Sequence, residues 1–235
     1  VSIFFDWDFE RGERELQRAI ELNPSFADAR TIYAVLLRRL GGPRLAEAID
    51  QLHLAVQLDP LNPFYRVHMI WAYFEAGEFA KVEEEGRRLL DLNPEPVLQA
   101  QGILANSFIA WNEGRMEAAE AGFERCVELT ERLHPDMLTF LGIFYESNGR
   151  HTEALGVLQE ITGLAGQRYV SPTLFAELQA SMGNVDKAFE YLEQAYELRC
   201  GYLFYLSESY PQLRSDPRWD DLVERVGLPE KAPSL

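Results

Sequence analysis

Residues Pro63–Pro94 read PFYRVHMIWAYFEAGEFAKVEEEGRRLLDLNP. Two amphipathic helical patterns flank a short turn at Gly77. Apolar residues recur three and four apart on each side of the glycine, which buries one stripe of each helix. A similar segment precedes this one in the chain, and three follow it.

The copies are placed by their ends. Three second helices close alike, as AIELNP (Ala19–Pro24), AVQLDP (Ala55–Pro60) and LLDLNP (Leu89–Pro94). Their prolines are 36 and 34 residues apart. Turn glycines follow at Gly77, Gly114, Gly149 and Gly183, spaced 37, 35 and 34. A helix–turn–helix unit with a period of about 34 resembles the tetratricopeptide repeat. That motif needs small residues where two helices approach closely and large ones between them. Its eighth place holds Ala34, Ile70, Ser107, Gly142 and Ala176. Its twentieth holds Gly12, Ala48, Val82, Ala119, Ala154 and Ala188, and its large twenty-fourth place holds Leu16, Leu52, Gly86, Phe123, Leu158 and Leu192. The central copy departs most, with Ile70, Val82 and Leu89 oversized and Gly86 undersized. A swap of volume between neighbouring sites can conserve total packing.

The resemblance implies an all-α fold: a right-handed tetratricopeptide α-solenoid of antiparallel helix pairs. The expected array covers residues 1–200, about five and a half repeats with the first incomplete. Residues 201–235 form a C-terminal capping segment, because a solenoid needs its last apolar face covered. Within it Asp216 caps a last helix, Pro217 shapes its first turn and Gly227 ends it. Trp219, Leu222, Val223 and Val226 make one apolar stripe. Pro229–Leu235 carries no pattern. At the other end, only Val1–Trp7 precedes the second helix of repeat one. The expectation is either a longer natural chain or an edge covered by a partner. The resemblance narrows further to the C-terminal repeat regions of bacterial multidomain regulators, on the segments DWDFERGERELQRAIELNPSFADARTIYAVLL and SPTLFAELQASMGNVDKAFEYLEQAYELRCGYLFYL. It implies a partner-binding or sensing module.

Composition excludes several functions. The 235 residues carry 22 Lys and Arg against 38 Asp and Glu, a net charge of −16, and no third of the chain is basic. Phosphate neutralisation dominates nucleic-acid affinity, so no nucleic acid is expected on this segment. Anionic headgroups repel it equally, and no apolar run is long enough to span a membrane. Cys126 and Cys200 sit inside helical pattern and need no oxidation, which favours a reducing, cytoplasmic compartment. His53, His68, His134 and His151 are scattered, so no metal site and no cofactor is expected. No glycine-rich phosphate loop occurs, and no serine or cysteine stands in a nucleophile motif. Glu83-Glu84-Glu85 reads as a solvated face at a helix start, and Asp6-Trp7-Asp8 as a turn and cap. The chain is expected not to be an enzyme.

In the family, places 2, 5, 9 and 12 of each first helix line a concave groove. Carried onto this sequence, they give Phe64, Val67, Trp71 and Phe74 in repeat three, and Gln101, Leu104, Phe108 and Trp111 in repeat four. Repeat two adds Arg38, the only basic residue at these places, so a clamp for an acidic chain terminus is not expected. The function implied is a protein–protein interaction or regulatory scaffold, holding a protein or peptide segment against this aromatic surface. The competing reading of the same stripe is core packing. The alternative function is oligomerisation, with the incomplete first repeat pairing with another copy through Trp7, Phe9 and Leu16.

Overall fold

The computed structural model describes residues 2–205 and 210–228. Among them are twelve α-helices, which divide between two compact units. Pro229–Leu235 lies outside the described residues.

Residues 8–129 form the first unit. Its helices are α1 (Phe9–Leu22), α2 (Ala27–Leu40), α3 (Arg44–Leu58), α4 (Pro63–Glu75), α5 (Phe79–Asp91), α6 (Pro96–Asn112) and α7 (Met116–Leu129). Asp8 caps α1 by accepting from the Arg11 N–H at 3.0 Å. Helices α2 and α3, α4 and α5, and α6 and α7 pack as consecutive pairs, and the first helices α2, α4 and α6 also touch in sequence. Leu37, Leu52, Ile70, Val82 and Leu89 fill the spine of the core. Each such side chain, removed from water, contributes about 1.5–3 kcal/mol.

The turns follow from one device. Gly77 has φ 71°, its N–H donates to the Phe74 carbonyl, and the Glu78 N–H reaches back to Tyr73. This double closure satisfies carbonyls that the helix end would leave bare, and it requires a left-handed residue that glycine supplies without penalty.

The oversized residues of the central copy are accommodated by a glycine in the next one. A Cβ on Gly102 would stand 3.2 Å from Leu89 Cδ2 and 3.8 Å from Ile70 Cδ1. Helix α6 therefore gives up a side chain where α4 and α5 carry extra volume.

The second unit joins residues up to Trp7 with Thr130–Leu228. It contains α8 (Pro135–Ser147), α9 (His151–Ala165), α10 (Pro172–Ser181), α11 (Val185–Glu197) and α12 (Pro217–Val226), with 3-10 turns at Gly201–Tyr205 and Pro211–Leu213. Gly142 is a true close approach: an added Cβ would lie 3.0 Å from Leu178 and 3.1 Å from Val157. Asp216 caps α12 through the Arg218 N–H at 3.0 Å, and Gly227 ends it at φ 67°. Trp219, Leu222 and Val226 are buried. Arg225 pairs with Glu193, and Tyr210 donates to the Thr173 carbonyl at 2.9 Å. The tail thus covers α10 and α11. Ser171, the residue before α10, makes no side-chain cap and bonds the Thr173 hydroxyl at 2.8 Å.

Two expectations are corrected. Glu85 is not on a solvated face: it is buried, and holds Arg66 at 2.8 Å and Arg88 at 2.6 Å. Trp7 and Phe9 are likewise buried rather than exposed as a pairing edge, and Leu16 is half-buried. Trp7 is covered by Tyr196, with ring centroids 5.3 Å apart.

Candidate functional site

The residues expected to line the groove of repeats three and four fall on α4 and α6 of the first unit. Their places in the packing differ. Val67 and Leu104 are 6% and 1% exposed, so they form a floor rather than a contact surface. Trp71, Phe74, Phe108 and Trp111 are half-buried, and Phe64 is 40% exposed.

These rings form a continuous run. Trp71 meets Phe74 edge-on at 5.6 Å and Phe108 at 6.3 Å. Phe108 stacks on Trp111 at 6.3 Å with an interplanar angle of 23°. Phe108 is the hub, also touching Phe74 at 6.2 Å and the buried Phe123 at 5.2 Å. Offset and edge contacts of this kind add about 0.5–1.5 kcal/mol each beyond area burial. The run is therefore both core and surface: each ring is anchored on one side and keeps part of its area in water.

One member was not read as part of the surface from the sequence, and one groove place proves to be the polar partner of another. Phe79, at the start of α5, packs on Phe74 at 6.0 Å. Gln101 accepts the Trp71 indole N–H at 3.0 Å. The recurrence of aromatics flags the first, but only coordinates pair the second.

Arg38 is bound by Glu75, which accepts from its Nε at 3.1 Å and from its terminal nitrogen at 2.5 Å. The side chain is 10% exposed. Its charge is already answered within the fold. His68 lies beside it, with Phe64 edge-on at 4.4 Å. Both ring nitrogens are shut off from solvent and have no hydrogen-bond partner. Burial, with the Arg38 charge second, pushes this imidazole down to about 3, so it is neutral near pH 7.

A separate polar hollow of about 290 Å³ lies between α3, α4 and α5, lined by His53, Arg66, Tyr73, Lys81, Glu85 and Arg88 among others. Tyr73 and His53 share a hydrogen bond at 2.9 Å, and the Lys81 ammonium sits 4.9 Å from the Tyr73 ring centroid. Its charges are paired: Arg66 with Glu85, Arg88 with Glu84 and Glu85, and Lys81 with Glu78. Cys126 is buried and its thiol is pushed up to about 12 by desolvation, which removes it from nucleophilic chemistry. Among the described residues no group of histidines, cysteines and carboxylates has the geometry to hold a metal ion. No helix among them is long and apolar enough to cross a membrane.

Comparison with known proteins bears on the family and the fold. A sequence model of the family described as tetratricopeptide repeat matches residues 8–63 and 109–168, and a second of the same description matches 173–199. Together they cover more than half of the chain. No curated protein sequence matches. Among solved structures, the chain is similar to PilW, a widely conserved type IV pilus biogenesis factor. The TM-score is 0.56 at 15% identity, over 83% of this chain and 88% of that one. It is similar to TTC0263, a thermophilic TPR protein of Thermus thermophilus, with TM-score 0.54 and 18% identity, over 86% and 97%. A third match, in the APC/C hetero-tetramer Cut9-Hcn1, has TM-score 0.62 and 15% identity, covering 96% of this chain but 47% of that one. At these identities the likeness is one of fold.

Proposed function

The chain belongs to the tetratricopeptide repeat family, whose helix pairs serve as protein–protein interaction scaffolds, and on that premise we propose that its α4–α6 surface holds a segment of a partner protein. The observation that carries this is the continuous run Trp71–Phe74–Phe108–Trp111, half-exposed on two consecutive first helices. Monomeric surfaces rarely leave such aromatic area in water without a use. Tryptophans at the middle of a patch are the usual anchors of an interface. The floor of Val67 and Leu104 and the packed Phe123 hold the rings in place, so little ordering is left to the moment of binding. Because Arg38 is consumed by Glu75, the surface recognises apolar and aromatic side chains rather than an acidic chain terminus. Its role is binding without catalysis, since family members act as a rule as interaction modules rather than enzymes.

The test is peptide selection from a random display library on the intact chain, followed by binding to variants. Selected peptides should be rich in apolar and aromatic residues and should lose at least ~10-fold in affinity with Trp71→Ala or Trp111→Ala. Selected binders that tolerate both substitutions would place the interaction elsewhere on the protein.

A further inference from the structure

One surface of the second unit already carries a peptide, the chain's own N-terminal residues. Ile3 and Trp7 are 3% and 6% exposed there. Phe4 meets Phe204 edge-on at 5.2 Å. Trp7 lies against Tyr196 at 5.3 Å, and the Arg199 guanidinium stands 4.5 Å from the indole centroid. Gly201 lies close against the segment: a Cβ there would stand in ordinary contact, 3.5 Å from the Phe4 carbonyl oxygen and 3.6 Å from its Cβ. Part of the receiving surface is held by contacts that do not involve its occupant. The Arg225 guanidinium lies 4.5 Å from the Tyr196 ring and is itself held by Glu193 and Asp221.

The occupant fits imperfectly, and its tether explains why. Trp7 has φ 54°, a left-handed conformation that L-residues with large side chains avoid. The next residue, Asp8, must cap α1, so Trp7 takes the bend. Its Nε1 is buried with no hydrogen-bond partner. On the receiving side, Arg199 also sits at φ 52°. It holds the place after α11 that Gly77 holds after α4, with the Arg199 N–H on Tyr196 and the Cys200 N–H on Ala195. A non-glycine residue persists in such a conformation where its surroundings demand it. Here it sets a guanidinium over an indole, the aromatic face that attracts cations best.

We propose that this surface is a docking site for a short aromatic segment supplied in trans, with the N-terminal residues as its internal stand-in. The segment it fits has an aliphatic residue, an aromatic one beside it and a tryptophan three places further on, the pattern of Ile3, Phe4 and Trp7. A segment from another molecule has no α1 to cap, so it presents the same side chains without the left-handed residue. The site shares no residue with the aromatic run on α4 and α6. Trp71→Ala tests that run and leaves this docking unchanged, so the two readings fail separately.

The experiment removes residues 1–7 and titrates the shortened chain with a labelled peptide of the sequence Ser2–Phe9, followed by fluorescence anisotropy. The shortened chain should bind it at least ~10-fold tighter than the intact chain, whose site is filled. Tyr196→Ala or Arg199→Ala in the shortened chain should cost ~10-fold, as should replacing the peptide's tryptophan by alanine. A shortened chain that keeps its helical circular dichroism yet binds no better than the intact one overturns the proposal. So does binding that ignores Tyr196 and Arg199. If the shortened chain unfolds, the full-length variant Phe4→Ala with Trp7→Ala replaces it, and its failure to take up the peptide is equally decisive.

Discussion

Trp71 and Gln101 are joined across consecutive repeats, the indole Nε1–H donating to the side-chain oxygen at 3.0 Å. The N–H is the only polar group of the indole. Once it is satisfied, the rest of the ring is free for apolar contact, and its position is tied to α6 as well as α4.

This separates two roles of one residue. Trp71→Phe keeps an aromatic ring and loses the bond to Gln101, which has solvent nearby to replace it. Affinity for a groove-binding peptide should fall by ~3-fold at most. Trp71→Ala removes the ring and should cost ~30-fold, about 2 kcal/mol. Isothermal titration of both variants with one selected peptide distinguishes these outcomes.

Glu85 is the acceptor for two arginines, and the side chain of Arg66 is only 13% exposed. Glu85→Ala strands a largely buried guanidinium and should lower unfolding free energy by about 3 kcal/mol. Replacing both partners, as Arg66→Met with Glu85→Leu, should recover most of that loss. Urea denaturation of the three variants is the measurement. An unaffected Glu85→Ala midpoint would mean that solvent reaches the pair.

Helix α7 approaches α6 closely at Gly122, where an added Cβ would overlap the Ser107 hydroxyl, itself bonded to the Ile103 carbonyl at 2.8 Å. Gly122→Ala should therefore destabilise by about 1–3 kcal/mol despite its better helix propensity. Adding Ser107→Gly removes the obstruction and should return part of the loss. The double-mutant cycle read by thermal melting gives the coupling.

His68 refuses a proton that the unfolded chain accepts. Its folded value of about 3 lies below the ordinary 6.5, so the unfolded state binds more protons between those pH values. Stability then falls as pH drops below 6.5, with a slope of at most roughly 1.4 kcal/mol per unit from this group. His68→Leu should flatten that part of the profile. Unfolding of both proteins at pH 7 and pH 5 shows it as a smaller acid penalty in the variant. An identical penalty would mean that the imidazole takes its proton in the fold, with Glu75 offsetting Arg38.

Helix content and pairing were legible in the chain because they rest on local signals. Prolines at first turns, glycines at left-handed ends and a repeated apolar stripe give the helix pairs, and for α1 and α12 the bounds as well. The aromatic run was legible too, since groove places recur at fixed offsets. What was hidden depends on contacts between distant residues. Nothing in Glu83-Glu84-Glu85 says that the third carboxylate turns inward to Arg66, because helical phase is ambiguous in a run of like charges. The burial of Trp7 is invisible for a similar reason: its cover, Tyr196 and Arg199, comes from the opposite end of the chain. The oversized Ile70 and Leu89 were legible as anomalies, but their accommodation by Gly102 needed the neighbouring repeat.

The turn at Gly77 has a consequence of its own. Nothing lies within 4 Å of where a side chain would begin, and the same holds at Gly114, Gly149 and Gly183. The constraint there is purely one of chirality. An L-alanine is refused by the backbone, not by a neighbour, whereas its mirror image, D-alanine, would find both the dihedral and the space. Semisynthetic chains carrying D-alanine at these four positions should gain stability by narrowing the unfolded ensemble, while every interhelical contact stays as it is.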